Sequence, residues 1–198
     1  MKKTYIFLML MILVSLKAQD IPKLILKSKV DNNLVLPVVV DKNDLAIIIN
    51  YNGGWTAFDR NIYYIFKNNG DLKIYKEESP KPYIKNPDLK KSIREISVSE
   101  NTKDKLFEII NSKKITDFQK YSQNDFKIKQ KDKSIAPPSC MISDSIGYKI
   151  WFIQNNKQNS YGYYAPEYYL EKCTDKTINK VILKKFLEML NEIRSAKI

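Results

Sequence analysis

Apolar and polar positions alternate in short runs through most of the chain and fall into helical spacing in two places. Residues 23–30 (KLILKSKV) predict a strand, Asp31-Asn32-Asn33 a turn, and residues 34–40 (LVLPVVV) a second strand. Pro37 confines that second run to a sheet edge or a strand start, because it lacks the N–H a ladder needs. Residues 45–50 (LAIIIN) form a buried-strand candidate that ends at Asn52-Gly53-Gly54. Residues 62–67 and 72–77 flank Asn68-Asn69-Gly70-Asp71, a hairpin signal because Asn and Gly tolerate positive φ. Ile62, Tyr64 and Phe66 then share one face and Leu72 and Ile74 another, with one face over the core.

Residues 79–87 hold three prolines and predict a loop, with a possible strand at 91–98. A helix is expected over residues 100–112, capped by Ser97 or Ser99, with Leu106, Phe107, Ile109 and Ile110 on one side. Residues 117–139 are polar, poor in large aliphatics, and expected to be a long loop or a weak edge strand. Residues 147–154 and 160–164 predict strands around Asn155-Asn156-Lys157. Over residues 178–195, Ile178, Ile182, Phe186, Met189 and Ile193 recur at spacings of four, four, three and four. That is one face of a helix, with Thr174, Asp175 and Thr177 available as caps.

Hairpin-then-helix thus occurs twice, which predicts an α+β domain: an antiparallel sheet with two helices on one face. In element order alone, residues 62–193 resemble small exported bacterial α+β proteins of unassigned function. That resemblance carries over no functional residue.

The first 19 residues change the picture of where the domain works. Lys2 and Lys3 precede an unbroken apolar run, residues 6–14, and Ala18 offers a small residue for cleavage. This predicts a signal peptide over residues 1–19 and an exported domain, periplasmic or secreted, over residues 20–198. Leu16 stands where cleavage prefers a small residue. The rival is an uncleaved anchor, but the run is shorter than the ~20 residues a bilayer span needs and Lys17 closes it. No membrane span is expected after cleavage.

Removing Lys2, Lys3 and Lys17 takes the formal net charge from +12 to +9. The basicity is lysine; arginine occurs only at Arg60, Arg94 and Arg194. Arginine grips phosphates and guanine edges with two-pronged hydrogen bonds, so specific nucleic-acid recognition is not expected. The Lys, Asn and Ile bias of an AT-rich genome accounts for the charge more simply than a selected anion-binding surface does. Lys127, Lys129, Lys131 and Lys133 alternate, as an edge-strand guard, a solvated loop or a row meeting an acidic partner.

Cys140 and Cys173 are the only cysteines, an even count that in an exported chain predicts a disulfide. The alternatives are buried thiols or a reactive Cys173 just before a helix. The chain has no histidine, which excludes Ser-His-Asp and Cys-His catalysis and histidine-ligated metals. No Ser-x-x-Lys, phosphate-cradling glycine loop or EF-hand pattern occurs, and no cofactor or metal is implied. Glycoside hydrolysis survives because it needs only two carboxylates, and Asp59, Glu77, Glu78, Asp144 and Glu167 lie near strand ends.

Aromatic residues make the better binding candidates. Tyr161, Tyr163, Tyr164, Tyr168 and Tyr169 fall within nine residues, and Trp55 follows the Gly53-Gly54 turn. Such rings suit protein interfaces and sugar stacking; core packing is the bland alternative for both. Strand alternation puts Tyr161 and Tyr163 opposite Tyr164, and Gly162 suggests room for Tyr164 to be the more buried. The expectation is a non-enzymatic binding protein with a protein partner, for example an immunity-type inhibitor of a toxin or enzyme. The alternatives are a cell-envelope glycan-binding module or a carboxylate glycosidase.

Overall fold

The computed structural model describes residues 20–128 and 140–196; the expected signal peptide and most of the alternating lysine row lie outside them. Four consecutive strands form a meander: β2 (Leu45–Gly53), β3 (Phe58–Phe66), β4 (Leu72–Pro80) and β5 (Ser92–Ile96). A hairpin of β6 (Ile146–Gln154) and β7 (Lys157–Tyr164) joins the free side of β2, and the short β1 (Ser28–Lys29) pairs with β7. The result is a seven-stranded antiparallel sheet in the order β1-β7-β6-β2-β3-β4-β5. Two long helices, α1 (Glu100–Ile110) and α4 (Lys180–Arg194), cover one face, with short α2 (Lys113–Thr116) and α3 (Pro166–Glu171) beside them. The fold is α+β, as the alternation predicts, with β5 inserted between the first hairpin and its helix.

Turn chemistry fixes the hairpins. Asn155 and Asn156 both have positive φ, 55° and 58°, so a two-residue turn joins β6 to β7. Between β3 and β4 only Gly70 is left-handed, at φ 83°. There Gly70 N donates to Lys67 O and Lys67 N to Asp71 O, which makes a longer loop than an Asn-Gly pair alone requires.

Helical periodicity fixes the core. Leu45, Ile47, Ile49, Tyr64, Phe66, Ile150 and Phe152 from the sheet meet Leu106, Phe107 and Ile110 of α1 and Leu183, Phe186, Met189 and Leu190 of α4. Ser99 caps α1 by accepting from Thr102 N. Asn179, rather than Thr174, Asp175 or Thr177, caps α4 by accepting from Ile182 N. The polar stretch after α2 is not a loose loop in its described part. It folds into two 3-10 turns, Asp117–Lys120 and Gln123–Phe126, that bury Phe118 and Phe126.

The opposite face holds the main departure. Residues 34–40 are not a strand. They cross the sheet as a strap, bent at Pro37-Val38, whose Leu34, Leu36, Val38 and Val40, with Val30, pack on Ala46, Ile48, Tyr63, Ile65, Tyr75 and Ile153. Val35 and Val39 point away, 76% and 81% exposed. Residues 23–30 also yield only the two-residue β1. Side-chain amides replace the missing ladder there: Gln154 accepts from Leu24 N and donates to Pro22 O, and Asn159 accepts from Lys27 N and donates to Ile25 O. Asp44, 2% exposed, closes the strap by accepting from Asp41 N, Asn68 N and Lys67 Nζ.

Candidate functional site

The aromatic candidates divide into core, brace and surface. Tyr161 is core, 1% exposed, its ring against Phe118 at 4.8 Å and its hydroxyl donating to Tyr121 O at 3.1 Å. As a binding residue it is corrected by that burial. Tyr163 is half-buried between Phe126 and Tyr169, and burial pushes its phenol up to about 12. Tyr164 is the most exposed of the cluster at 39%, the reverse of the expectation from Gly162. On Gly162's face the neighbour is the side chain of Lys149 on β6, whose Cγ would lie 3.5 Å from a Cβ placed there.

Tyr168 and Tyr169 act as braces. The Tyr169 hydroxyl donates to Cys140 O at 3.1 Å and that of Tyr168 to Met141 O at 3.5 Å. Cys140 and Cys173 are joined as a disulfide, with Cα atoms 5.5 Å apart. Together these bonds tie the 140–146 segment to α3.

The surface set lies at the end of the sheet where β2 turns into β3. Trp55 is 88% exposed rather than docked into the core. Its loop needs Gly53 and Gly54, at φ 78° and 64°, and a Cβ on Gly53 would collide with Ser145 O. Gly54 N donates to Ser145 O at 2.9 Å. Lys81, just beyond β4 and 4% exposed, donates its ammonium to both Gly53 O and Gly54 O at 2.9 Å. Tyr164 completes the join by accepting from Ser145 N.

At the Gly53-Gly54 turn that carries Trp55 stand Tyr83 and Ile146, exposed by 69% and 46%, together with Tyr164. The Lys81 ammonium lies 5.9 Å from the Tyr83 ring centroid, and Ile146 would contact a Cβ on Gly54. Sequence reasoning found Trp55 and Tyr164 but missed Lys81, Tyr83 and Ile146. No local spacing links them; only the strand register brings them to one end.

The strand carboxylates divide between the two faces of the sheet. Glu77 and Asp59 lie on the strap face of neighbouring strands, while Glu78 lies on the helix face. Burial alone would raise the Glu77 pKa, yet hydrogen bonds from Lys91, Tyr63, Ser79 and Asn61 outweigh it and hold the group below its ordinary value. The Lys76 ammonium does the same to Glu78. A glycosidase acid needs the opposite shift. Glu77 instead anchors a polar row along the sheet: Asn52 donates to Asn50, Asn50 to Asn61, and Asn61 to Glu77.

Fold and site together define an α+β domain that presents apolar side chains on a disulfide-braced loop end. Among the described residues no helix is long and apolar enough to cross a membrane, and no cluster of metal-ligating side chains occurs. No protein-family model matches the chain, and no curated protein matches it in sequence.

Proposed function

We propose that this is an exported, non-enzymatic binding protein that engages another protein through the Trp55 end of its sheet. The observation that carries the reading is the placement of Trp55, Tyr83, Ile146 and Tyr164, all exposed, at one turn whose backbone is pinned from several sides. Exposed Trp and Tyr on rigid loops lose little conformational entropy when covered, which is the character of interface hot spots. An immunity-type inhibitor, laying this end over the active site of a toxin or enzyme, is the concrete form we favour. Export is read from the leader, and the disulfide is compatible with an oxidising compartment.

A glycan-binding module is the second reading, and the Asn52-Asn50-Asn61-Glu77 row favours it, since amides and carboxylates pair with sugar hydroxyls. The test is affinity capture from native envelope extract with the mature protein and with Trp55→Ala. A protein captured by the first and lost by the second supports the proposal. Capture unchanged by Trp55→Ala, or retention on purified envelope glycan instead, refutes it.

A further inference from the structure

Arginine is rare in this lysine-rich chain, yet all three copies lie on the helix-side face of the sheet. Arg194, at the end of α4, lies over the rings of Tyr51 and Tyr148. Tyr51 sits directly across from Arg60 on β3. Arg60 and Arg94, with Lys76, Glu95, Ile62 and Ile96, line an open cavity of about 390 Å³ across β3, β4 and β5. That volume is in the range of small-molecule sites.

The charges in this cavity do not balance. Lys76 stands directly opposite Arg94 in the β4–β5 ladder, a like-charge cross-strand pair of the kind that destabilises a sheet. A single carboxylate, Glu78, serves both Arg60, at 3.2 Å, and Lys76, at 2.9 Å. Glu95 is taken by the Tyr75 hydroxyl. The Arg94 guanidinium has no hydrogen-bond or ion-pair partner among the described residues. Beside it Ile62 and Ile96 supply an apolar floor that the helices only partly cover. An edge-strand guard would account for a charge at Arg94 but not for cations grouped over an apolar floor.

We propose that this cavity binds a small amphipathic carboxylate, with its head on the Arg94 guanidinium and its apolar body across Ile62 and Ile96. A guanidinium offers two parallel N–H donors that match the two carboxylate oxygens, which an ammonium does not. The inference is independent of the Trp55 surface, which lies on the loops beyond these strands.

The test is titration of the mature protein with octanoate, followed by amide resonances in two-dimensional NMR, beside octanamide and acetate. Octanoate should give saturable shifts centred on residues 62, 76, 94 and 96. Octanamide, lacking the charge, and acetate, lacking the chain, should each bind about tenfold more weakly or worse. Arg94→Gln should weaken octanoate by about tenfold. Arg94 is exposed, so that variant should keep its fold, shown by unchanged resonances away from the cavity. Absence of saturable shifts, equal binding of octanamide, or undiminished binding by Arg94→Gln overturns the proposal.

Discussion

Replacing Tyr161 and Trp55 separately by Ala sets core against surface in a single measurement. Tyr161 is 1% exposed, packs on Phe118 and Phe152, and donates to Tyr121 O. Truncating a large buried ring costs about 3–5 kcal/mol through lost contacts and the cavity left behind. Gln119 keeps its bond from Asn159, so the polar loss is confined to the Tyr121 carbonyl and adds little. For a domain of this size 1 kcal/mol moves Tm by about 2–4 °C, so Tyr161→Ala should melt about 6–20 °C lower. Trp55, 88% exposed, gives up almost no buried surface, and Trp55→Ala should stay within about 0.5 kcal/mol, or about 2 °C. Thermal melts by circular dichroism, with urea titrations for free energies, read both. If Trp55→Ala also weakens partner capture by about 2 kcal/mol or more, the ring is a hot spot. A Trp55→Ala melt lowered by more than about 4 °C, or a Tyr161→Ala melt that is unmoved, refutes this division into surface and core.

The disulfide, spanning a sequence separation of 33, should add about 3–4 kcal/mol on the loop-entropy account. The unreduced protein should therefore resist alkylation and lose Tm on reduction; ready labelling of unreduced protein contradicts the bridge. Burial alone would raise the Asp44 pKa, but hydrogen bonds from Lys67, Asn68 N and Asp41 N hold it below its ordinary 3.8. Its contribution is thus full above that value and lost as pH falls through the lower folded pKa. Asp44→Asn should cost about 2–3 kcal/mol at pH 7 and lose this part of the acid dependence, read by urea titrations from pH 7 to pH 2. On the strap, Val38→Asp should cost about 1–3 kcal/mol whereas Val39→Asp should be neutral, and equal effects would contradict the packing.

The strap shows what an apolar, β-branched run does and does not report. Residues 34–40 (LVLPVVV) are an unbroken apolar run, yet their side chains alternate in burial, with Leu34, Leu36, Val38 and Val40 inward and Val35 and Val39 outward. Such a run records that the segment packs against a core. Whether its backbone pairs with a neighbour is a separate matter, and Pro37, which cannot complete a ladder, was the relevant signal. The partners that replace the ladder at residues 22–27, Gln154 and Asn159, lie about 130 positions away in sequence. The cap of α4 was hidden for a similar reason. Four capping side chains, Thr174, Asp175, Thr177 and Asn179, lie within six residues, and the choice falls to Asn179, whose N–H is held by Phe126 O.

The aromatic surface was half legible, and Lys81 explains the other half. A tryptophan after two glycines ordinarily folds back, because an open loop leaves backbone carbonyls unsatisfied and a large ring in water. Here Gly53 O and Gly54 O are both taken by the buried Lys81 ammonium, and Gly54 N by Ser145 O. The ammonium in turn loses its water but gains two carbonyl partners, so its burial is compensated. With the loop closed by these bonds, the Trp55 ring is not needed to seal it and is left facing solvent. Nothing near Trp55 in the sequence foretells this, because the lysine that does it follows β4 and is one among many. The outward ring and its polar support are therefore properties of the sheet register, which sets the end of β4 against the start of β3.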